Sequence, residues 1–160
     1  MSYIYQIKQL LSHLLSTVYQ NWGETYITKG ENDYAINACT RAIQLDANSY
    51  EAYFNRGLAY MKKRQWVTAI ADFDHSLQLC PRQYLVHAYR GLTYYYSGDN
   101  HAAMNDYNLA LYLRPRESML YVYRGMTEAD EGNLEAAISD YNAAIHFDAG
   151  EPEEITRNNI

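Results

Sequence analysis

YLVHAYRGLTYYYSGDNHAAMNDYNLALYLRPRE, residues 84–117, is one period of this chain. Its Gly91 has counterparts at Gly23, Gly57 and Gly125, each one full period from the next. Around that glycine the neighbours recur. Three residues on stand Tyr26, Tyr60 and Tyr94, with Glu128 as the exception. Twelve residues on stand Ala35, Ala69, Ala103 and Ala137, and four further come Cys39, Phe73, Tyr107 and Tyr141. A small residue follows at Ala42, Ser76, Ala110 and Ala144, then an aliphatic one at Ile43, Leu77, Leu111 and Ile145. Pro81 and Pro115 close two periods, and Ala47 and Ala149 hold that place in the others. Self-similarity at this length marks an array of stacked supersecondary units.

Each period holds two segments of helical periodicity. Tyr53, Gly57 and Tyr60 make one stripe, and Ala69, Phe73, Ser76 and Leu77 make a stripe on the next segment. Gly57 and Ala69 are small enough for two backbones to approach closely, and Phe73 fills the space beside them. Gly30, Gly98 and Gly132 fall just past a first helix, where a left-handed cap favours glycine. Pro81 and Pro115 end second helices. One hairpin cannot bury both its faces, so the units must stack.

This ladder resembles the tetratricopeptide repeat family, whose signature is an aromatic, Leu-Gly, Tyr, Ala, aromatic and Pro pattern with a period of about 34 residues. The resemblance covers residues 16–149. It departs from the pattern before the glycine, where Trp22, Arg56, Arg90 and Arg124 replace the usual Leu. It implies an all-α, right-handed superhelical solenoid forming one domain, 1–160. The repeats would be 16–49, 50–83, 84–117 and 118–151, with an N-terminal helix at 3–15 and a short tail at 152–160. The apolar residues of 3–15 (Ile4, Ile7, Leu10, Leu11, Leu14, Leu15) suit an amphipathic helix better than a signal peptide, because no basic start precedes them. That helix either caps the first repeat or runs on into its first helix.

Composition narrows the function. The net charge is −6 with no basic cluster, which argues against nucleic acid and anionic membrane as partners. No transmembrane run is present. The aromatics are dominated by 18 tyrosines, whose rings can be buried while the hydroxyls stay wet. Cys39 and Cys80 stand more than a whole period apart, in neither redox nor metal spacing, which suggests a reducing, cytoplasmic compartment. Cys39 takes a core aromatic position and should be a buried thiol. His13, His75, His87, His101 and His146 are scattered, and His87 reads as a packing residue. With no phosphate loop, nucleophile elbow or metal cluster, no catalytic, cofactor or metal site is expected, and the chain does not read as an enzyme.

Arg56, Arg90 and Arg124 are each followed, at one fixed spacing just short of half a period, by an aspartate: Asp72, Asp106 and Asp140. In the first repeat both members change together, to Trp22 and Ala38. The spacing predicts an ion pair inside each of the last three repeats in preference to a basic stripe for an acidic peptide.

In the family the first helices line the concave wall. Beside their core stripe runs a second one: Phe54, Leu58 and Met61; then Leu85, Ala88, Leu92 and Tyr95; then Met119, Val122, Met126 and Ala129. In the first repeat the same positions are Thr17, Gln20, Glu24 and Ile27, mostly polar. Phe54, Leu58, Met61, Leu85, Leu92, Tyr95, Met119, Val122 and Met126 therefore form a candidate groove for an apolar or amphipathic segment of a protein partner. The alternative is burial of Leu58, Leu92 and Met126 between neighbouring first helices. The clamp that some family members close on chaperone C-terminal tails is not kept, since Gln20, Glu24 and Ala88 stand in its place. The expected function is protein–protein interaction, as adaptor, assembly factor or chaperone-like holder. The alternative is a self-associating structural module whose groove is filled by its own N-terminal helix or by a second copy. The short tail from Gly150 would leave Ile138 and Ile145 partly bare, favouring a homo-oligomer through that end unless Ile155 and Ile160 cap it. Glu151, Glu153 and Glu154 read as a solvated charge run.

Overall fold

A computed structural model describes residues 2–149. The acidic run and the two cap candidates Ile155 and Ile160 lie outside the described residues. Those residues form eight helices and no strand: α1 (Ser2–Lys29), α2 (Asn32–Leu45), α3 (Tyr50–Lys62), α4 (Trp66–Leu79), α5 (Tyr84–Ser97), α6 (Asn100–Leu113), α7 (Ser118–Asp130) and α8 (Leu134–Asp148). The fold is an all-α helical solenoid. Successive helices pack as hairpins, α1 on α2 through to α7 on α8, and the hairpins stack in chain order. First helices also touch one another, α1 to α3, α3 to α5 and α5 to α7, so they form one wall.

The hairpin interior follows from small residues facing large ones. A Cβ added at Gly91 would lie 2.8 Å from a ring carbon of Tyr107, and one at Gly57 would lie 2.7 Å from Phe73. Only glycine leaves room for these rings against the facing backbone. Ala35, Ala69 and Ala103 are fully buried in the same interface.

The turn inside each hairpin repeats with the same period. The backbone N–H of Glu31, Gln65, Asp99 and Asn133 reaches the carbonyl of Tyr26, Tyr60, Tyr94 and Glu128, each at 2.9 Å. This is the six-to-one bond of a Schellman cap, and it needs a left-handed residue just before the donor. Gly30, Gly98 and Gly132 supply it with φ of 77°, 89° and 83°. In the second hairpin the position belongs to Arg64, with φ of 60°.

The segment 3–15 is not a separate helix. It is the first half of α1, which at 28 residues is about twice as long as the other helices. Residues 2–22 contain neither glycine nor proline, so nothing at the Leu15–Ser16 junction stops the helix.

Candidate functional site

Two arrangements rise from this frame, a polar ladder between the hairpins and an apolar surface on the first helices.

The ladder is built on the arginines before the glycines. Arg56 donates from Nε to Asp72 Oδ2 at 2.8 Å and from Nη2 to Oδ1 at 2.7 Å. Arg90 grips Asp106 in the same fork at 2.7 and 2.7 Å, and Arg124 grips Asp140 at 2.8 and 2.7 Å. Each aspartate is buried. The fork suits guanidinium and no other side chain. These arginines are committed to the fold and offer no free basic stripe.

Each arginine also has a third bond that spacing did not suggest. Its Nη1 reaches back 16 residues to the preceding hairpin: Arg56 to Thr40 at 3.2 Å, Arg90 to Asp74 at 2.6 Å and Arg124 to Asn108 at 2.8 Å. One side chain thus joins two repeats. His87 enters the central station, with Nδ1 2.8 Å from Asp106 Oδ1 and Nε2 3.2 Å from the Pro81 carbonyl. It packs as expected, and it is a polar member as well. Burial alone would raise the Asp106 carboxyl, but the hydrogen bonds from Arg90 and His87 outweigh it and hold the group below its usual range. Burial would likewise lower the Arg90 guanidinium, and its bonds to Asp106 and Asp74 raise it instead.

In the first hairpin, Trp22 and Ala38 replace the pair. An open cleft of about 510 Å³ stands there, lined by Tyr19, Trp22, Tyr26 and Tyr34 together with Asn37, Thr40, Arg41 and Gln44. Tyr19 meets Trp22 edge-on at 5.2 Å.

The nine groove residues divide. Leu85 and Met119 are exposed, at 42% and 50%, and border a cleft of about 210 Å³ with Tyr84, Ala88, Tyr89, Glu117, Leu120 and Tyr123. Met119 and Val122 also border a second cleft of about 280 Å³, shared with Ala144 and Ile145 of α8. Tyr95 is half-buried and its hydroxyl donates to Asp130 at 2.6 Å, tying α5 to α7. That hydrogen bond, more than burial, pushes the phenol up to about 12. Met126 is half-buried.

Phe54, Leu58 and Met61 are half-buried and pack against the cluster of Ala69, Phe73, Leu77 and Val86. The Phe54 ring lies 6.0 Å from Phe73 and 5.8 Å from Tyr89. Leu58 also touches the cluster of Ile27, Ala35 and Ala59, so it joins the first two repeats. Leu92 is a correction, since only 7% of it is exposed. It sits mid-helix on α5, which has α3 on one side and α7 on the other, and that crowding buries it. The tyrosines of the cleft beside Leu85 were missed. Tyr89 and Tyr123 each follow a stripe residue, Ala88 and Val122, and that adjacency was the available signal.

Among the described residues no group of three or more His, Cys, Asp or Glu is placed to hold a metal ion, and no helix is long and apolar enough to cross a membrane. Burial pushes the Cys39 thiol up to about 12, and Cys80 is free.

Comparison with known proteins agrees with the geometry. No curated protein matches the sequence at a significant level. Among solved structures, a MamA crystal structure superposes with a TM-score of 0.78 at 21% identity, over 84% of this chain and 79% of that one. MamA 41-end from Desulfovibrio magneticus RS-1 gives 0.78 at 14% identity, over 86% and 78%. The Arabidopsis OM64 TPR domain gives 0.72 at 20% identity, over 74% of this chain and 98% of that domain. These likenesses are likenesses of fold. Two family models described as tetratricopeptide repeat match residues 23–92 and 90–152, which between them take in nearly all of the hairpin stack. The chain belongs to the tetratricopeptide repeat family.

Proposed function

We propose that this array is a protein–protein interaction module whose first helices receive the apolar face of an amphipathic partner helix. The observation that carries this reading is the cleft between α5 and α7. Two large apolar side chains, Leu85 and Met119, stand exposed there over a floor of Ala88 and Leu120. Its volume of about 210 Å³ accepts side chains and not a folded domain. Glu117 borders the cleft and Arg114 stacks over its Tyr84, 5.2 Å to the ring centre, so its edge carries both signs of charge. Exposed methionine suits adaptable apolar contact. A free, deeply buried Cys39 fits a reducing compartment such as the cytoplasm.

The test uses the methionine methyls as reporters. A Leu/Lys amphipathic helical peptide is titrated into methyl-labelled protein. Saturable shifts at Met119, with Met126 or Met61 following, support the groove when Leu85→Glu removes them. Equal shifts at Met104, which lies on α6, or none at Met119, remove it.

A second reading, self-association through the α7–α8 end, draws on Ile138 and Ile145, which are 59% and 67% exposed on α8. An oligomer mass that Ile145→Glu leaves unchanged would dismiss it.

A further inference from the structure

Ahead of its last two turns, helix α1 is built with its polarity reversed. Over residues 12–23 the side that meets α2 is small and polar. Ser12 Oγ donates to the Leu45 carbonyl at 2.8 Å, Ser16 Oγ donates to the Ala42 carbonyl at 3.0 Å, and Gly23 lies against Cys39. The far side carries Ile4, Ile7, Leu11, Leu14 and Val18, exposed between 41% and 70%. An amphipathic helix normally turns its apolar stripe inward. Later repeats do so at the same position. Ala52, Val86 and Leu120, the counterparts of Val18, are 0%, 2% and 1% exposed. The first repeat leaves this face bare and keeps it apolar.

We infer that α1 pairs with α1 of a second copy, antiparallel about a two-fold axis, along the seam from Ile4 to Val18. Spacing is the first reason. Residues 4, 7, 11, 14 and 18 alternate steps of three and four, the heptad seam of two supercoiled helices. An antiparallel register sets Leu11 opposite Leu14, and Ile7 opposite Val18, of the second copy. Area is the second reason. With Leu10 and Leu15 flanking, seven apolar side chains at roughly 100 Å² apiece give about 700 Å² per copy, close to the ~800 Å² of a standard interface. Direction follows from bulk. The hairpins sit on the C-terminal half of α1, so an antiparallel pair holds the two bodies at opposite ends and a parallel pair would crowd them together. A lipid surface is the weaker occupant. From residue 3 to 23 the chain has one lysine, Lys8, and no arginine, where an interfacial helix carries several basic residues.

Sedimentation equilibrium on the full chain is expected to give twice the 18.6 kDa chain mass. The variant Leu11→Glu/Leu14→Glu changes two exposed side chains, and it should return the mass to that of one chain with far-ultraviolet helicity retained. A wild type that stays monomeric at every concentration overturns the proposal. So does a dimer untouched by this variant and dissolved by Ile145→Glu, which would move the contact to α8. Orientation is read by a spin label at Tyr3→Cys on a Cys80→Ser background, Cys39 being buried. At 1.5 Å rise per residue, the antiparallel register sets the two labels about 30 Å apart, whereas a parallel pair sets them about 10 Å apart and overturns it. Cosedimentation of a monomeric wild type with phosphatidylserine vesicles, lost in the double glutamate variant, would assign the seam to lipid instead. The α1 variant leaves Leu85 and Met119 intact, so peptide shifts at Met119 separate failure of this pairing from failure of the groove.

Discussion

Arg90 and Asp106 meet through two parallel hydrogen bonds of 2.7 Å, and the arginine extends a third, at 2.6 Å, to Asp74 on the hairpin before. The two partners are unequally placed. The side chain of Asp106 is 3% exposed and that of Arg90 is 21%.

That inequality predicts an order of effects. Arg90→Met leaves a buried carboxylate with His87 alone and should cost about 3–5 kcal/mol. Asp106→Asn leaves Arg90 bonded to Asp74 and should cost less, about 2 kcal/mol. Urea denaturation of both singles and the double, closed as a cycle, should give a coupling of about 1–3 kcal/mol, and strict additivity would contradict the bond network.

The same carboxyl makes stability depend on acid. Its folded-state pKa lies below the unfolded value, so its contribution is complete above the ordinary carboxylate range and is lost as pH falls through the folded pKa. The gap between wild type and Asp106→Asn should therefore be full above about pH 5 and narrow progressively as pH falls below about 4. A gap that widens on acidification would reverse the sign of the argument.

Arg64 holds a left-handed turn with φ of 60° where its three counterparts are glycine. A non-glycine residue there costs on the order of 1 kcal/mol. Arg64→Gly should raise the melting temperature by about 2–4 °C, read by circular dichroism. A fall would show that the stacking of Arg64 over Trp66, 5.8 Å to the ring centre, outweighs the strain.

The hydroxyl of Tyr107 is buried and makes no hydrogen bond of good geometry, with the Thr127 hydroxyl beside it as its polar neighbour. Its counterpart one period earlier is Phe73, which fills the same space with no polar atom. Tyr107→Phe should be neutral or stabilising by up to about 1 kcal/mol by chemical denaturation. A loss of about 2 kcal/mol or more, on the order of an unmet buried donor, would mean the hydroxyl has a partner.

The hairpins were legible because their physics repeats. Gly91 facing Tyr107 and Gly57 facing Phe73 are the same contact, and the period displays it each time. The Arg–Asp pairs were legible for the same reason, since both members change together in the first repeat. The third bond was not, because its acceptors share a position and no chemistry: Thr40, Asp74 and Asn108. The groove stripe was only half legible. Leu85 and Leu92 look alike in sequence, and only the placement of α5 between α3 and α7 separates the exposed one from the buried one. Residues 3–15 showed their helical period, but their exposure depended on α2 offering Ser12 and Ser16 a polar seat and leaving the leucines outside.

The arginine fork bears on how such a chain can change size. Arg90 needs one acceptor 16 residues before it and one 16 residues after, and both lie within a period of it. Copying one whole period in register therefore carries each clasp along intact, donor and acceptors together. Growth by duplication is cheap for this architecture, while an insertion of any other length would strand a charged side chain at the new joint.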